Sequence, residues 1–288
     1  MAISTSLGHA HEVDLPGGRI RYYESGEGSP VVFLHGLLVN ADLWRKVVPG
    51  IAAAGYRCIA PDLPLGSHEI PVPTADLTPT GVADLIAAFL DRLDLEDVTL
   101  VANDTGGAIT QVLLARNRAR IGRVVLTSCD SYADFLPKPL SVLPVLAKVP
   151  GIVRPIVDAM RIRALQRSPL GFGLVAKHPI PPQIADSYLL PTRRSGAIRK
   201  DLRRVLLTLK RQYTLEAAKH FAEIDLPIHI VWAAEDQIFA LDNARRLTAD
   251  LPNATLQLID DSYAFLSEDQ PELLTSAILE FTRLHATP

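Results

Sequence analysis

Short, uninterrupted apolar runs recur along the chain, and segments with the apolar spacing of a helix separate them. The clearest runs cover 30–34, 57–60, 98–102, 123–127 and 228–232. A strand that is apolar on both faces is typical of a parallel sheet covered by helices on both sides. The alternation therefore predicts an α/β fold with a mostly parallel sheet.

Three more strands complete this sheet. Residues 12–28 alternate apolar and polar side chains around Gly17-Gly18, which is the pattern of an antiparallel hairpin. A last strand is predicted at 255–259. The sequence thus predicts eight strands with helices on both faces.

The alternation stops between Ser131 and about Tyr213, where helical pieces punctuated by proline replace the strands. We interpret 131–213 as an inserted helical cap, so that 1–130 and 214–288 form the main domain. A chain of 288 residues is long enough for one large domain that carries an inserted piece.

The sharpest local feature is the turn around Asp104, between the apolar run 98–102 and a helix. Small residues stand two positions before it (Ala102) and two positions after it (Gly106). This spacing is typical of a nucleophile elbow, in which strand and helix nearly touch and the central side chain is exposed on a strained turn. Capping of the following helix by Asp104 is the alternative interpretation.

Other chemically useful residues stand at or just beyond the carboxyl ends of the predicted strands. Ligands of open α/β sheets bind at this edge, so these residues are candidates for one site. They are His35, Gly36, Asp62, Asp104, Asp130, Asp236 and Tyr263.

Taken in order, these motifs resemble the α/β-hydrolase superfamily over nearly the whole chain. They are His35-Gly36 after the third strand, 60–64 after the fourth, the elbow after the fifth, the cap after the sixth and 232–236 after the seventh. With aspartate at the elbow, the chain looks like the branch of haloalkane dehalogenases, haloacetate dehalogenases and epoxide hydrolases. The resemblance implies an α/β-hydrolase fold in which Asp104 attacks carbon and forms an ester.

The same resemblance implies roles for the neighbouring residues. His35 and Gly36 would shape the substrate-binding loop, and the backbone N–H groups of Leu37 and Thr105 would form the oxyanion hole. Asp236 stands where the superfamily usually has its catalytic acid.

Asp130 stands at the other position that this branch uses for the acid. Each of these carboxylates also has a structural alternative. Asp236 could cap the helix that begins near Ala240, and Asp130 could bind N–H groups of its own loop.

The chain departs from this branch where the catalytic histidine is expected, because Tyr263 takes that position. A tyrosine, with a pKa near ~10, is mostly protonated at pH 7 and is a weaker base than imidazole. Leu37 and Thr105 also replace the side chains that hold a departing halide, and Leu38 replaces a proline common in epoxide hydrolases.

We therefore expect a hydrolase without cofactor or metal that uses Asp104, together with Asp236, Asp130 and Tyr263, on a small apolar organic substrate. A general base contributes ~10²–10⁴-fold, so the second step of hydrolysis is expected to be slow. Two alternatives stay open. One is a non-hydrolytic cyclase, isomerase or lyase with Asp104 as acid or base, and the other is a catalytically silent ligand-binding protein.

Composition excludes several other functions. A net charge of −3 gives no reason to expect nucleic acid as a partner, and no apolar run approaches the ~18 residues of a membrane span. No signal peptide is apparent, and Cys58 and Cys129 lie in apolar runs as buried thiols would. We expect a cytoplasmic monomer or homodimer.

Overall fold

A computed structural model describes residues 3–286, and its centre is one eight-stranded sheet. The strand order is β1-β2-β4-β3-β5-β6-β7-β8. The pairs β1–β2 and β2–β4 are antiparallel, and all other neighbours are parallel. The strands are β1 (His9–Leu15), β2 (Gly18–Ser25), β3 (Ser29–Leu34), β4 (Tyr56–Pro61), β5 (Val98–Asn103), β6 (Ile121–Thr127), β7 (Ile228–Ala233) and β8 (Ala254–Ile259).

Twelve α-helices surround this sheet in the described part of the chain. They are α1 (Val48–Ala53), α2 (Pro79–Arg92), α3 (Thr105–Arg116), α4 (Leu143–Leu146), α5 (Val153–Ala159), α6 (Arg163–Gln166), α7 (Pro182–Arg194), α8 (Gly196–Thr208), α9 (Gln212–Ala218), α10 (Leu241–Asp250), α11 (Leu266–Asp269) and α12 (Pro271–Leu284). The predicted α/β-hydrolase fold, with its mostly parallel sheet, is confirmed.

Two segments whose apolar spacing predicts one continuous helix are broken in the structure. The first follows His35-Gly36, with Leu43, Val47 and Ile51 at helical spacing. It forms a 3₁₀ turn at Ala41–Trp44 and then a separate helix, α1, with Pro49 in its first turn. Proline lacks the N–H that a continuous helix would need at this point, so the helix starts again there. The second covers 152–165 and is divided into α5 and α6, because Ile162 between them is extended.

The core lies on both faces of the sheet. Every residue of β5 is buried, and so are Val31–Leu34 of β3, the strand beside it. This agrees with the uninterrupted apolar runs that predicted the strands. Cys58 and Cys129 are buried free thiols.

The helices between β6 and β7 are attached to the sheet domain by buried polar contacts. Tyr188 of α7 donates its hydroxyl to Glu268 at 3.3 Å, and Glu268 also forms a buried ion pair with Arg45. The Ser67 hydroxyl donates to the Tyr188 carbonyl at 2.5 Å. These contacts hold the helical segment over the carboxyl ends of the strands.

The division of the chain at 130 and 214 stays a prediction. Helix α9 runs through the second of these boundaries and packs against α3. No helix within residues 3–286 is both long enough and apolar enough to cross a bilayer.

Candidate active site

Asp104 lies at the sharp turn between β5 and α3. Its backbone has φ 55° and ψ −132°, a conformation that residues other than glycine rarely adopt. Its side chain makes no capping hydrogen bond to α3, although it occupies the N-cap position. The conformation is that of the predicted elbow, and the capping alternative does not account for this residue.

The absence of a side chain at Gly36 makes room for the Asp104 carboxyl. A Cβ atom on Gly36 would lie 2.3 Å from Oδ2 of Asp104. On the other side of the elbow, a Cβ on Gly106 would lie 2.5 Å from the carbonyl oxygen of His35. The loop after β3 and the elbow after β5 therefore touch, and only glycine fits at either contact.

His35 holds the loop after β3 in place. Its Nε2 accepts a hydrogen bond from the Leu63 N–H at 2.8 Å, which leaves Nδ1–H to donate to the Gly36 carbonyl at 2.8 Å. Complete burial lowers the pKa of His35 to about 4. The ring is thus neutral and fully engaged, and its position supports Gly36 and Leu37.

The Asp104 carboxyl is buried, and this burial raises its pKa to about 7. The N–H group and hydroxyl of Thr105 and the N–H group of Leu37 oppose the rise by hydrogen bonding, whereas the charge of Asp236 adds to it. The two N–H groups assigned from the sequence to the oxyanion hole therefore act on the Asp104 carboxyl itself.

Asp130 lies next to this carboxyl, and Thr105 joins the two. The Thr105 hydroxyl is 3.1 Å from Oδ2 of Asp130 and 3.3 Å from Oδ1 of Asp104. Oδ1 of Asp130 is buried and has no hydrogen-bond partner among the described residues. Burial first, and then the charge of Asp104, raise the pKa of Asp130 well above its ordinary value.

Asp236 follows β7 and binds its own loop with one oxygen. Oδ1 accepts hydrogen bonds from the N–H groups of Ile238 and Phe239, both at 2.8 Å. Oδ2 is buried without a partner in the described part of the chain. Burial raises the pKa of Asp236 to about 6. These N–H groups lie in the loop before α10, whose N-cap is Ala240, so Asp236 binds its own loop and does not cap that helix.

Tyr263 is half-buried, and its N–H donates to Asp269 at 2.9 Å. Within 3–286, its hydroxyl forms no hydrogen bond, and no histidine hydrogen-bonds to Asp104, Asp130 or Asp236. The structure thus brings three carboxyl groups together around the elbow without an imidazole.

A cavity of about 130 Å³ lies above the elbow, and Asp104 is the one charged residue of its lining. Besides Asp104, the sheet domain contributes Leu37, Leu38 and Phe265, and the segment between β6 and β7 contributes all other lining residues. The remaining lining residues are Leu136, Leu140, Leu143, Ile156, Val157, Met160, Leu170, Gly171, Phe172, Val175 and Leu189. Such a chamber suits a small apolar molecule.

The sequence predicts part of this lining, because five large apolar residues of the segment 131–213 are candidates for a pocket wall: Phe135, Leu143, Phe172, Leu174 and Leu189. Leu143, Phe172 and Leu189 line the chamber, whereas Phe135 and Leu174 lie outside the lining. Sequence reasoning thus anticipated part of the lining. It missed Ile156, Val157 and Met160, because a short amphipathic helix gives no signal of which neighbour it covers.

In its fold and in the geometry of this site, the chain is similar to proteins of the α/β-hydrolase fold. The model of that family, described as "alpha/beta hydrolase fold", matches residues 29–152. The matched segment contains β3, the elbow and Asp130.

Individual proteins that are similar to this chain include haloalkane dehalogenases and an epoxide hydrolase. A haloalkane dehalogenase of Psychrobacter cryohalolentis is 39% identical over 109 residues, which are 37% of this chain and 36% of that protein. The match thus spans little more than a third of the relative. A solved haloalkane dehalogenase from Agrobacterium tumefaciens superposes with a TM-score of 0.80 at 22% identity, covering 98% of this chain and 99% of that one. A solved epoxide hydrolase gives a TM-score of 0.80 at 20% identity, covering 96% and 99%.

Proposed function

We propose that this protein is an enzyme in which the Asp104 carboxylate attacks an electrophilic carbon of a small apolar substrate and forms an alkyl ester. The observation that carries the proposal is the position of Asp104. It occupies the strained elbow and is the one charged group in the lining of an apolar chamber. The dehalogenase and epoxide hydrolase relatives support the same chemistry.

In the first step, a new bond forms between a carboxylate oxygen of Asp104 and the substrate carbon. The bond from that carbon to a halogen or an epoxide oxygen breaks, and the leaving group takes its electron pair. The apolar lining keeps water away from the carboxylate, which increases its reactivity. Because the pKa of Asp104 is about 7, the reactive form gains population as the pH rises through neutrality.

In the second step, water attacks the carbonyl carbon of the Asp104 ester. The negative charge then develops on an oxygen of Asp104, where the N–H groups of Leu37 and Thr105 already act. The attacking water must also lose a proton, and no imidazole hydrogen-bonds to the carboxyls of the described site. The ester is therefore expected to hydrolyse slowly and to accumulate.

Intact-protein mass spectrometry after incubation with 1-bromobutane or 1,2-epoxybutane tests this proposal. We expect a mass increase of one substrate-derived group, located on Asp104 by peptide mapping and absent in Asp104→Asn. Asp260→Asn, which changes an exposed carboxyl, serves as the control and should label like the wild type. Turnover without an adduct, or equal labelling of Asp104→Asn, would contradict the proposal.

A second candidate is acid–base catalysis without an ester, such as an isomerisation or elimination. It is favoured by the raised pKa of Asp104, since a carboxyl that titrates near pH 7 both accepts and donates protons efficiently there. Turnover in ¹⁸O-labelled water separates the candidates. Hydrolysis through an ester introduces ¹⁸O into Asp104 after repeated turnover, whereas acid–base catalysis leaves its oxygens unlabelled.

A further inference from the structure

One hydroxyl group lies between two buried carboxyls in this site. The Thr105 hydroxyl is within hydrogen-bond distance of both Asp104 and Asp130, yet it carries a single hydrogen. It can donate to one carboxylate, and it can bind the other carboxyl only by accepting a hydrogen bond from the protonated form of that carboxyl. Both contacts are satisfied together only when one of the two carboxyls is protonated.

The surroundings of the two carboxyls differ in a way that decides which one holds the proton. Asp104 receives hydrogen bonds from the N–H groups of Leu37 and Thr105, which favour its ionised form. Among the residues that the structure describes, the Asp130 carboxyl has only the Thr105 hydroxyl as a hydrogen-bond partner, and its second oxygen is buried without one. An ionised Asp130 would leave that oxygen uncompensated, which is costly in a buried site.

The other charged and titratable groups near Asp104 and Asp130 do not change which of the two carboxyls holds the proton. The charge of Asp236 acts on Asp104 and that of Asp134 acts on Asp130. The nearby Cys129 thiol is un-ionised, because burial first, and then the charges of the aspartates, raise its pKa. Within the described residues, neither carboxyl of the pair forms a salt bridge. Gln111 donates to the backbone carbonyl of Asp130 at 2.9 Å and not to its carboxyl.

Resting on the proposed function, we propose that Asp130, Thr105 and Asp104 form a proton relay, in which Asp130 stores the proton and the Thr105 hydroxyl passes it to Asp104. When a proton leaves Oδ2 of Asp130 for the Thr105 oxygen, the hydroxyl proton moves to Oδ1 of Asp104. One proton is transferred in total, Asp130 becomes a carboxylate, and Asp104 becomes a carboxylic acid. The reverse shift returns Asp104 to its reactive form.

In this relay, Thr105 touches the reacting carboxyl, whereas Asp130 acts through Thr105 and is a positioning residue. The resting state, with Asp130 protonated and Asp104 ionised, prepares Asp104 for attack on carbon. The Thr105 side chain has no N–H donor for a leaving halide. In the relay its role is to transfer the proton between the two carboxyls.

The test is a pH titration of the aspartate side-chain carboxyl carbons by ¹³C NMR, in full-length protein labelled with ¹³C-aspartate. Asp104→Asn and Asp130→Asn identify the two signals. The wild type should show Asp104 titrating near pH 7, while Asp130 keeps its proton until Asp104 has ionised. Titration of Asp130 before Asp104 as the pH rises would overturn the relay.

Thr105→Val removes the hydroxyl with little change in volume. A hydrogen bond to a charged group is lost, so the acid dissociation constant of Asp104 should fall at least about tenfold. Thr105→Ser keeps a hydroxyl and should stay within about threefold of the wild type. A change smaller than threefold in Thr105→Val, or a larger one in Thr105→Ser, would overturn the relay.

Asp130→Asn tests where the proton rests. An amide resembles a neutral carboxylic acid and also donates to the Thr105 oxygen, so the dissociation constant of Asp104 should change less than about threefold. A larger increase would show that a negative charge had been removed, and that Asp130 is ionised in the wild type. This measurement decides the question even if Thr105→Val does not fold, as judged by circular dichroism.

The titration needs no substrate, so its outcome is separate from that of the labelling experiment. If the carboxyls titrate as described but turnover proceeds without an adduct, the nucleophile proposal fails, and the transfer of the proton between Asp130 and Asp104 still stands. If an adduct forms but Thr105→Val leaves Asp104 unchanged, the relay fails and the nucleophile stands.

Discussion

Replacing Asp104 by asparagine should change how the stability of the protein depends on pH. The Asp104 carboxyl has a pKa of about 7 in the folded protein, against an ordinary value of 3.8. The folded state therefore binds a proton in a pH range where the unfolded chain has lost it. Stability from this group is fully present below about pH 4 and is lost as the pH rises through about 7.

The size of the effect follows from these two values. The difference of about three pH units corresponds to ~4 kcal/mol at the high-pH limit, since each unit is ~1.4 kcal/mol. Between pH 5 and pH 8 the same expression gives a loss of roughly 2.5 kcal/mol. Asparagine does not titrate, so Asp104→Asn should lack this part of the pH dependence.

Urea unfolding at pH 5 and pH 8 measures the effect for the wild type, for Asp104→Asn and for Asp260→Asn. On going from pH 5 to pH 8, the wild type should lose roughly 2.5 kcal/mol more of its unfolding free energy than Asp104→Asn. Asp260 is exposed, so Asp260→Asn should follow the wild type. If the difference between Asp104→Asn and the wild type is the same at both pH values, the raised pKa is refuted.

Two further substitutions test the geometry of the site. Gly36→Ala would place a Cβ 2.3 Å from Oδ2 of Asp104, so it should abolish the alkyl adduct in mass spectrometry. Gly196→Ala is the control and should label normally, because its Cβ would meet nothing closer than 3.5 Å. Normal labelling of Gly36→Ala would show that the carboxyl is free to move. Tyr263→Phe removes a hydroxyl without a hydrogen-bond partner in the described structure, so its labelling rate should stay within about twofold of the wild type. A tenfold lower labelling rate would support the catalytic role expected for Tyr263 from the sequence.

The architecture could be predicted from the sequence because each part of it has a local signal. The apolar runs at β3 and β5 are as buried as their composition indicates, and the small residues around Asp104 indicate the elbow. The break between Ala41–Trp44 and α1 was missed because the apolar spacing continues through it, and only Pro49 marks the interruption.

The contacts that give the site its chemistry are not local. Thr105 and Asp130 are separated by 25 residues, and their hydrogen bond depends on the parallel register of β5 and β6, in which Asn103 pairs with Thr127. A threonine or an aspartate at these positions does not by itself predict that two carboxyls share a proton. The expectation that Tyr263 acts together with the aspartates came from its place in a motif, and the position of a motif does not determine where its hydroxyl points.

The strained backbone at Asp104 also has a consequence for how such a protein changes over generations. A positive φ at a residue with a side chain costs ~1–3 kcal/mol, and glycine would remove most of that cost. Under selection for heat resistance alone, replacement of Asp104 by glycine would be favoured and the carboxyl would be lost. Heat resistance and the proposed reaction therefore make opposite demands on this position.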